Sequence, residues 1–462
     1  MRRLFATFPL ALAVAAAAAA PAPADDAPDH AVPAFVPGEV VVGLEGGREK
    51  VVELPASVGV GEGVRELRAD EGVAFAHPNY IARAAAVPND RGRFTEPGDW
   101  RRTQWNFLPC GSLCAQSPAP VEFQARGGIN ALAAWATLKK RGGGGGKGAR
   151  VAVVDTGVAF TSVKPRFKRS PDFSPTQFIR GRDFVDPPKG KEGLRSGGLP
   201  LDRDGHGTHV AGTIAEQTGN KIGLTGLAPK AKIIPVRVLD AQGFGTASDI
   251  SQGIRFAAQR GADVINMSFE FSAGVDRCSK IKSVCAAVNF AAKRGALVVA
   301  AAGNSNGAPI AFPAGAPKVV GVGRTTKDAC LADDSRTGEG LDLSAPGGGF
   351  PMLGSCSSND PLFSRGETIY QLTLIGPGFR RFGFPSDYEG TSMAAAHVTG
   401  VAAMIVASKV LGRNPKPAAI ECQLEATARS GPGELGQDYD PALFGAGIVD
   451  AAVAVAGRAP GC

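Results

Sequence analysis

The chain has 462 residues, 44% of them hydrophobic and 20% charged, so it is not a disordered chain and can bury a large core. Its 50 Lys and Arg against 43 Asp and Glu leave a formal net charge of +7, a mild excess over this length. The basic residues fall in small clusters such as Lys164 to Arg169, without the stripe and interleaved aromatics of a nucleic-acid binder, so no nucleic-acid partner is expected.

At the N-terminus, Arg2 and Arg3 precede an alanine-rich apolar run with small residues at Ala22 and Ala24. This predicts a secretory signal peptide over 1–24, cut after Ala24 or, alternatively, after Ala20. The run ends at Pro21, and no later stretch reads as long and apolar enough to span a bilayer. A secreted protein without a membrane anchor is expected. Export permits disulfides, and the eight cysteines all lie beyond the signal. Proximity suggests Cys110–Cys114, Cys278–Cys285 and Cys330–Cys356, leaving Cys422–Cys462, although connectivity is not fixed by sequence. No paired C-x-x-C spacing with histidines points to zinc, so no metal ligands are assigned.

Residues 25–86 form a short segment with strand-like Glu39 to Leu44. Roughly sixty residues with many polar breaks follow. The glycine run from Arg141 to Arg150 reads as an extended surface loop, since each Gly costs about 1 kcal/mol in a helix. From there apolar, β-branched runs alternate with helical spacing. "RVAVVD", "AKIIPVRVLD", "GADVINMSF" and "GALVVAAAG" read as buried strands, and "HGTHVAGTIAEQT", "TASDISQGIRFAAQRG" and "KSVCAAVNFAAKRG" as helices. The alternation predicts an α/β fold with a parallel sheet and helices on both faces. Ligands of such sheets bind at the carboxyl ends of the strands.

Three residues there are of the right types for acyl transfer. Asp155 ends the first strand, His206 lies between Gly205 and Gly207 at a helix start, and Ser392 follows Gly390 and Thr391. A serine hydroxyl needs a base to take its proton, and the base needs a carboxylate to fix its tautomer. The order Asp, His, Ser is a known order for that geometry. His206 as base is expected to titrate roughly between 6 and 7.5. The chain has five histidines; His209 and His397 read as packed or locally bonded. Gly303 to Gly307 matches the G-x-S-x-G elbow around Ser305, but two prolines follow where that elbow requires a helix. An esterase using Ser305 is therefore the lesser alternative.

"VAVVDTGV", "DGHGTHVAGTI", "INMSF", "VVAAAGNSN", "GTSMAAAHV" and "FGAGIVDA" occur in one order from about Gly128 to the C-terminus. Together they resemble the signature segments of the subtilisin-like serine proteases. The resemblance implies a serine endopeptidase domain over 87–462, with its core at about 128–455. It assigns Asp155, His206 and Ser392 as the catalytic triad and Asn304 as the oxyanion-hole donor. Ser268, Phe269 and Glu270 become one wall of the substrate cleft; Ala301, Ala302 and Gly303 become the other, with Ala311 near the floor. Two departures stand out: Ala396 where the family usually has Pro, and Glu270 where it often has Gly. The carboxylate of Glu270 predicts an acidic rim favouring a basic or polar residue near the scissile bond. "VPGEVVVGL" and "GVAFAHPNYIARAAAVPND" resemble the family's inhibitory propeptide, here a small α+β domain over 25–86, released by a cut between Tyr80 and Val87. Implied partners are protein or peptide substrates and the chain's own propeptide as intramolecular inhibitor; a monomer is expected. No cofactor is required for the chemistry, while structural calcium occurs in the family; "DRDG" at Asp202 to Gly205 is too short for a calcium loop. An inactive protease-like binding protein is the other alternative, and the filled catalytic positions argue against it.

Overall fold

The computed structural model describes residues 35–44, 49–80, 90–93, 96, 98–110, 123–185, 198–271, 275–305, 309–352, 356, 367–431 and 434–462. The signal peptide, the cut region after Tyr80 and Cys114 lie outside them. The chain divides into two compact units, Met1–Ala85 and Ala86–Cys462.

In the first unit, strands β1 (Phe35–Leu44), β2 (Glu49–Glu53) and β3 (Val73–Tyr80) form an antiparallel sheet in the order β2-β1-β3. Helix α1 (Val60–Ala69) joins β2 to β3 and covers one face. Alternate side chains of β1, Val40 and Val42, meet Val64 and Ala76 in its small core.

The second unit begins with the short helix α2 (Trp100–Thr103) and α3 (Ala131–Lys140). Seven strands then build one parallel sheet: β4 (Arg150–Asp155), β5 (Arg182–Asp183), β6 (Lys232–Arg237), β7 (Val264–Met267), β8 (Leu297–Ala301), β9 (Val319–Thr325) and β10 (Leu343–Pro346). Their order is β10-β9-β8-β7-β4-β6-β5, every pairing parallel. The central strands are largely apolar because both faces are covered, whereas the edge strand β5 is Arg182–Asp183. Val151 and Val153 of β4 point into one core with Val210 and Ile214 of α4 (His206–Ala215). Ala152 and Val154 point into the other, under α5 (Ala247–Gln259) and α6 (Lys282–Lys293).

Helix α7 (Thr391–Ser408) crosses the first core, and α8 (Pro417–Ala426) packs against it. Among the described residues it is the one helix long and apolar enough to cross a membrane, with a mean hydropathy of 1.4. It is 94% buried, the signature of a core helix. The expectation that no such stretch exists beyond the signal was too strict for this helix. Ala394, Ala395 and Ala396 are fully buried, so the small residues after Ser392 let α7 lie close to its neighbours.

The glycine run is not an extended surface loop. Gly144–Gly146 makes a tight turn against α7. A Cβ on Gly143 would lie 2.2 Å from the Ala407 carbonyl oxygen, and one on Gly146 would lie 2.6 Å from the Ala228 methyl. Glycine serves here for close approach rather than freedom. Disulfides join Cys278–Cys285, Cys330–Cys356 and Cys422–Cys462 as expected; the Cys110–Cys114 pair falls partly outside the described residues.

Candidate active site

Strand register brings the candidate residues to one edge. Val154 pairs with Met267 and Met267 with Ala300, so Asp155, Ser268 and Ala301 follow side by side at the carboxyl ends of β4, β7 and β8. Helices α4 and α7 pack on each other and start beside that edge, with His206 and Ser392 in their first turns.

Asp155 is fully buried, and its Oδ1 accepts hydrogen bonds from His206 Nδ1 and the Thr156 amide, each at 2.7 Å. Its Oδ2 has no partner. The bond fixes the His206 tautomer with Nδ1 protonated and leaves Nε2 as the basic nitrogen. The His206 side chain retains 24% exposure, enough for contact from outside. Burial alone would lower its pKa. The charge and hydrogen bond of Asp155 outweigh this, with Asp204 and Asp202 behind, and bring the imidazole up to about 9. That lies above the range expected from sequence, because three carboxylates surround one ring.

Asp202 was passed over as part of a failed calcium loop. It is fully buried and organises the start of α4. Its Oδ1 accepts from Thr156 Oγ1 and the Asp204 and Gly205 amides, and its Oδ2 from the amide and hydroxyl of Thr208. Thr156 in turn accepts the Gly207 amide through its hydroxyl oxygen at 3.0 Å. Gly207 admits no side chain, since a Cβ would lie 2.1 Å from the Gly157 carbonyl oxygen. The acidic residue just ahead of a helix start was the available signal.

Ser392 is half-buried, and its hydroxyl donates to the Ser268 carbonyl at 3.1 Å, not to His206. Ser268 Oγ returns a bond to the Ser392 carbonyl at 2.8 Å. Asn304 Oδ1 accepts from the amide and hydroxyl of Thr391, at 2.9 and 3.0 Å, and Thr391 Oγ1 accepts the Gly303 amide. These bonds tie the start of α7 to the end of β8. Gly390, at φ +140°, lies against the Asn304 side chain, where a Cβ would be 3.2 Å from Nδ2. The Ser392 amide and the positive dipole end of α7 thus lie beside the Asn304 side chain.

His209 and His397 are packed, as read from sequence. His209 Nε2 meets the Ile369 carbonyl at 2.9 Å, and burial lowers its pKa to about 3. His397 lies between Asn106 Nδ2 and the Met393 carbonyl, and burial lowers it to about 4. Tyr388, unassigned from sequence, stacks on His209 and flanks His206. Ser305 is exposed, and the described chain after it runs through turns into β9 without a helix, so the elbow motif lacks its structural context. Phe269 packs against the second core, and Ala311 donates its amide to the Ala302 carbonyl at 2.8 Å. The Glu270 carboxylate is not free: Arg336 pairs with it at 2.9 Å.

A parallel sheet carrying a buried carboxylate–imidazole pair at its carboxyl edge, beside a serine at a helix start, defines the class of serine-type endopeptidases. The sequence model of the Subtilase family matches residues 146–447. The chain belongs to that family. It is 32% identical over 351 residues to a thermophilic serine proteinase of Bacillus sp. (strain AK1), covering 76% of this chain and 67% of that protein. It is 33% identical over 412 residues to an extracellular protease of Xanthomonas campestris pv. campestris, covering 85% of this chain and 60% of that protein. A solved protease structure from Pseudoalteromonas arctica PAMC 21717 superposes with a TM-score of 0.60 at 31% identity, over 80% of this chain and 99% of the other.

Proposed function

We propose that the chain is a secreted serine endopeptidase made as a zymogen, with Ser392 as nucleophile, His206 as general base and acid, and Asp155 as its orienting partner. The observation that carries this reading is the 2.7 Å bond from His206 Nδ1 to the buried Asp155, beside the start of α7. Ser392 Oγ attacks the scissile carbonyl carbon while His206 Nε2 takes its proton. The carbonyl oxygen becomes an oxyanion, held by Asn304 Nδ2 and the Ser392 amide at the helix start. Collapse breaks the C–N bond, and His206 returns the proton to the departing amine. Water, deprotonated by His206, then attacks the acyl-enzyme and releases Ser392. The 3.1 Å bond to the Ser268 carbonyl must yield to His206 when substrate binds; such tightening is common in serine enzymes.

Secretion rests on the predicted signal over 1–24 and on the disulfides, which persist outside the cytosol. The zymogen rests on the resemblance of 25–86 to an inhibitory propeptide. A structural calcium ion fits one oxygen-rich site. Asp90 and Asp172 are fully buried; Asp90 accepts the Gly219 and Asn220 amides, and Asp172 accepts the Asn220 side-chain amide and the Leu224 amide. Burial, aided by the neighbouring Asp90 charge, raises Asp172 to about 8, a penalty that a bound cation relieves. Asp90, Asp172 and Asn220 would hold such a hard cation, which supplies rigidity and takes no part in the chemistry.

The test is hydrolysis of an unfolded protein with and without a serine-directed covalent inhibitor. The wild type cleaves and is labelled at Ser392; Ser392→Ala does neither. Cleavage that survives Ser392→Ala and is lost in Ser305→Ala would overturn the reading in favour of the esterase-type serine.

A further inference from the structure

The two cleft walls are joined by a contact that the sequence did not announce. Residues 268–270 and 301–303 follow the paired ends of β7 and β8, and the family resemblance makes them the two walls of a substrate slot. Its floor is laced to both sides: the Phe271 amide donates to the Phe312 carbonyl at 2.7 Å, and the Ala311 amide to the Ala302 carbonyl at 2.8 Å. Glu270 stands on one wall and Gly303 on the other. A Cβ built on Gly303 would lie 2.6 Å from both Glu270 Oε2 and Arg336 Nε. The carboxylate therefore reaches across the slot to the opposite wall.

Arg336 holds it there. The guanidinium is 7% exposed and donates from Nη2 to Glu270 Oε2 at 2.9 Å and from Nη1 to the Pro309 carbonyl at 3.0 Å. Its own backbone amide donates to the Gly303 carbonyl at 3.1 Å. The arginine is thus fixed to the Gly303 wall at both main chain and side chain, and the carboxylate it grips comes from the other. Glu270 itself is 33% exposed, so a substrate side chain entering the slot meets the pair.

We propose that the Glu270–Arg336 ion pair is a bar across the slot that restricts the residue on the acyl side of the scissile bond to small, uncharged side chains such as alanine. This deepens the proteolytic reading and rests on it. A large aromatic ring can enter only by pushing aside the Glu270 carboxylate, which would leave the buried Arg336 guanidinium without its counter-ion, and that is costly. A basic side chain finds no free counter-ion, because the carboxylate is already matched by a guanidinium. An acidic one meets Glu270 first. The bar replaces the acidic rim expected from Glu270 alone.

The experiment compares kcat/KM on peptide anilides that differ only at that residue: Ala, Leu, Phe, Lys and Glu. Active enzyme is counted by labelling with a serine-directed inhibitor. Wild type should favour Ala over both Phe and Lys by about tenfold or more. Glu270→Ala should raise the Phe-to-Ala ratio of kcat/KM about tenfold. Arg336→Met, which frees the carboxylate, should instead raise Lys relative to Ala. If Arg336→Met does not fold, the half-exposed Glu270→Ala decides alone. A wild type that favours Phe or Lys, or a Phe-to-Ala ratio that Glu270→Ala leaves unchanged, overturns the bar. A wild type that is neither labelled nor active on any peptide overturns the proteolytic reading itself, and the bar with it.

Discussion

The ring of Tyr388 lies flat on that of His209, with 4.2 Å between centroids and 7° between planes. It also approaches the ring of His206, at 6.4 Å. His209 is neutral, buried and bonded to Ile369, so it is a fixed surface that sets the tyrosine, and the tyrosine flanks the candidate base. Tyr388→Phe should keep the stack and most of the activity. Tyr388→Ala should lower kcat about tenfold or more with little change in KM, since it loosens the base and not the substrate site. Equal losses in both variants would show that the hydroxyl matters and the stack does not.

The pH profile follows from the carboxylates around His206. Only the neutral imidazole can accept the serine proton, so activity should rise with pH as His206 deprotonates. Its pKa is raised to about 9, which places the midpoint of kcat/KM above the ordinary imidazole value of 6.5. Asp204 contributes to that rise and bonds the His206 amide at 2.9 Å. Asp204→Asn should therefore move the midpoint down. A midpoint that stays in place would remove Asp204 from the account, and full activity at pH 4 would remove His206.

Asp202 collects five hydrogen bonds around the start of α4. Asp202→Ala leaves several of those donors unpaired in a buried place. Each costs about 1–3 kcal/mol, so a loss of at least about 2 kcal/mol is expected. The check is thermal or denaturant unfolding in a Ser392→Ala background, where self-digestion cannot intervene.

Chelation tests the cation site. In the same background, EDTA should lower Tm by about 3 °C, the shift expected for a domain of this size when a ligand at about a hundredfold over its Kd is withdrawn. Asp172→Asn should abolish the response to EDTA. A Tm indifferent to both chelator and added calcium would leave Asp90 and Asp172 as buried acids only.

Maturation gives the last test. A prosegment that occupies the cleft like a substrate is cut by the chain's own serine. Ser392→Ala should keep its fold and retain residues 25–86, while wild type gains a new N-terminus between Ile81 and Pro88. Normal processing of Ser392→Ala in a host without other extracellular proteases would assign the cut to an external enzyme.

Four strands of the sheet were legible because their signal is local: β4, β6, β7 and β8 are short β-branched runs bounded by turns, and each formed where it was read, whereas β5, β9 and β10 were not read. As candidates, Asp155 stood out because it ends an apolar strand, and His206 and Ser392 because glycines and small residues around them announce close approach. The glycine turn was misread because composition reports what a segment can do alone, whereas Gly143 and Gly146 are set by Ala407 and Ala228, far away in the chain. Tyr388 and Arg336 gave no local signal either. Each acquires its role only when distant segments meet, as Arg336 does at Gly303 and Glu270.

Helix α7 carries one more consequence. It is apolar on every side, and its position is defined by the neighbours that surround it. No surface of the helix is suited to water, so it has no place to rest before the sheet exists. The serine at its tip is therefore aimed only in a finished molecule. A chain still threading, still collapsing or wrongly assembled carries the same hydroxyl but points it nowhere. The aim of the nucleophile thus comes with folding, ahead of and apart from the proposed release of the prosegment.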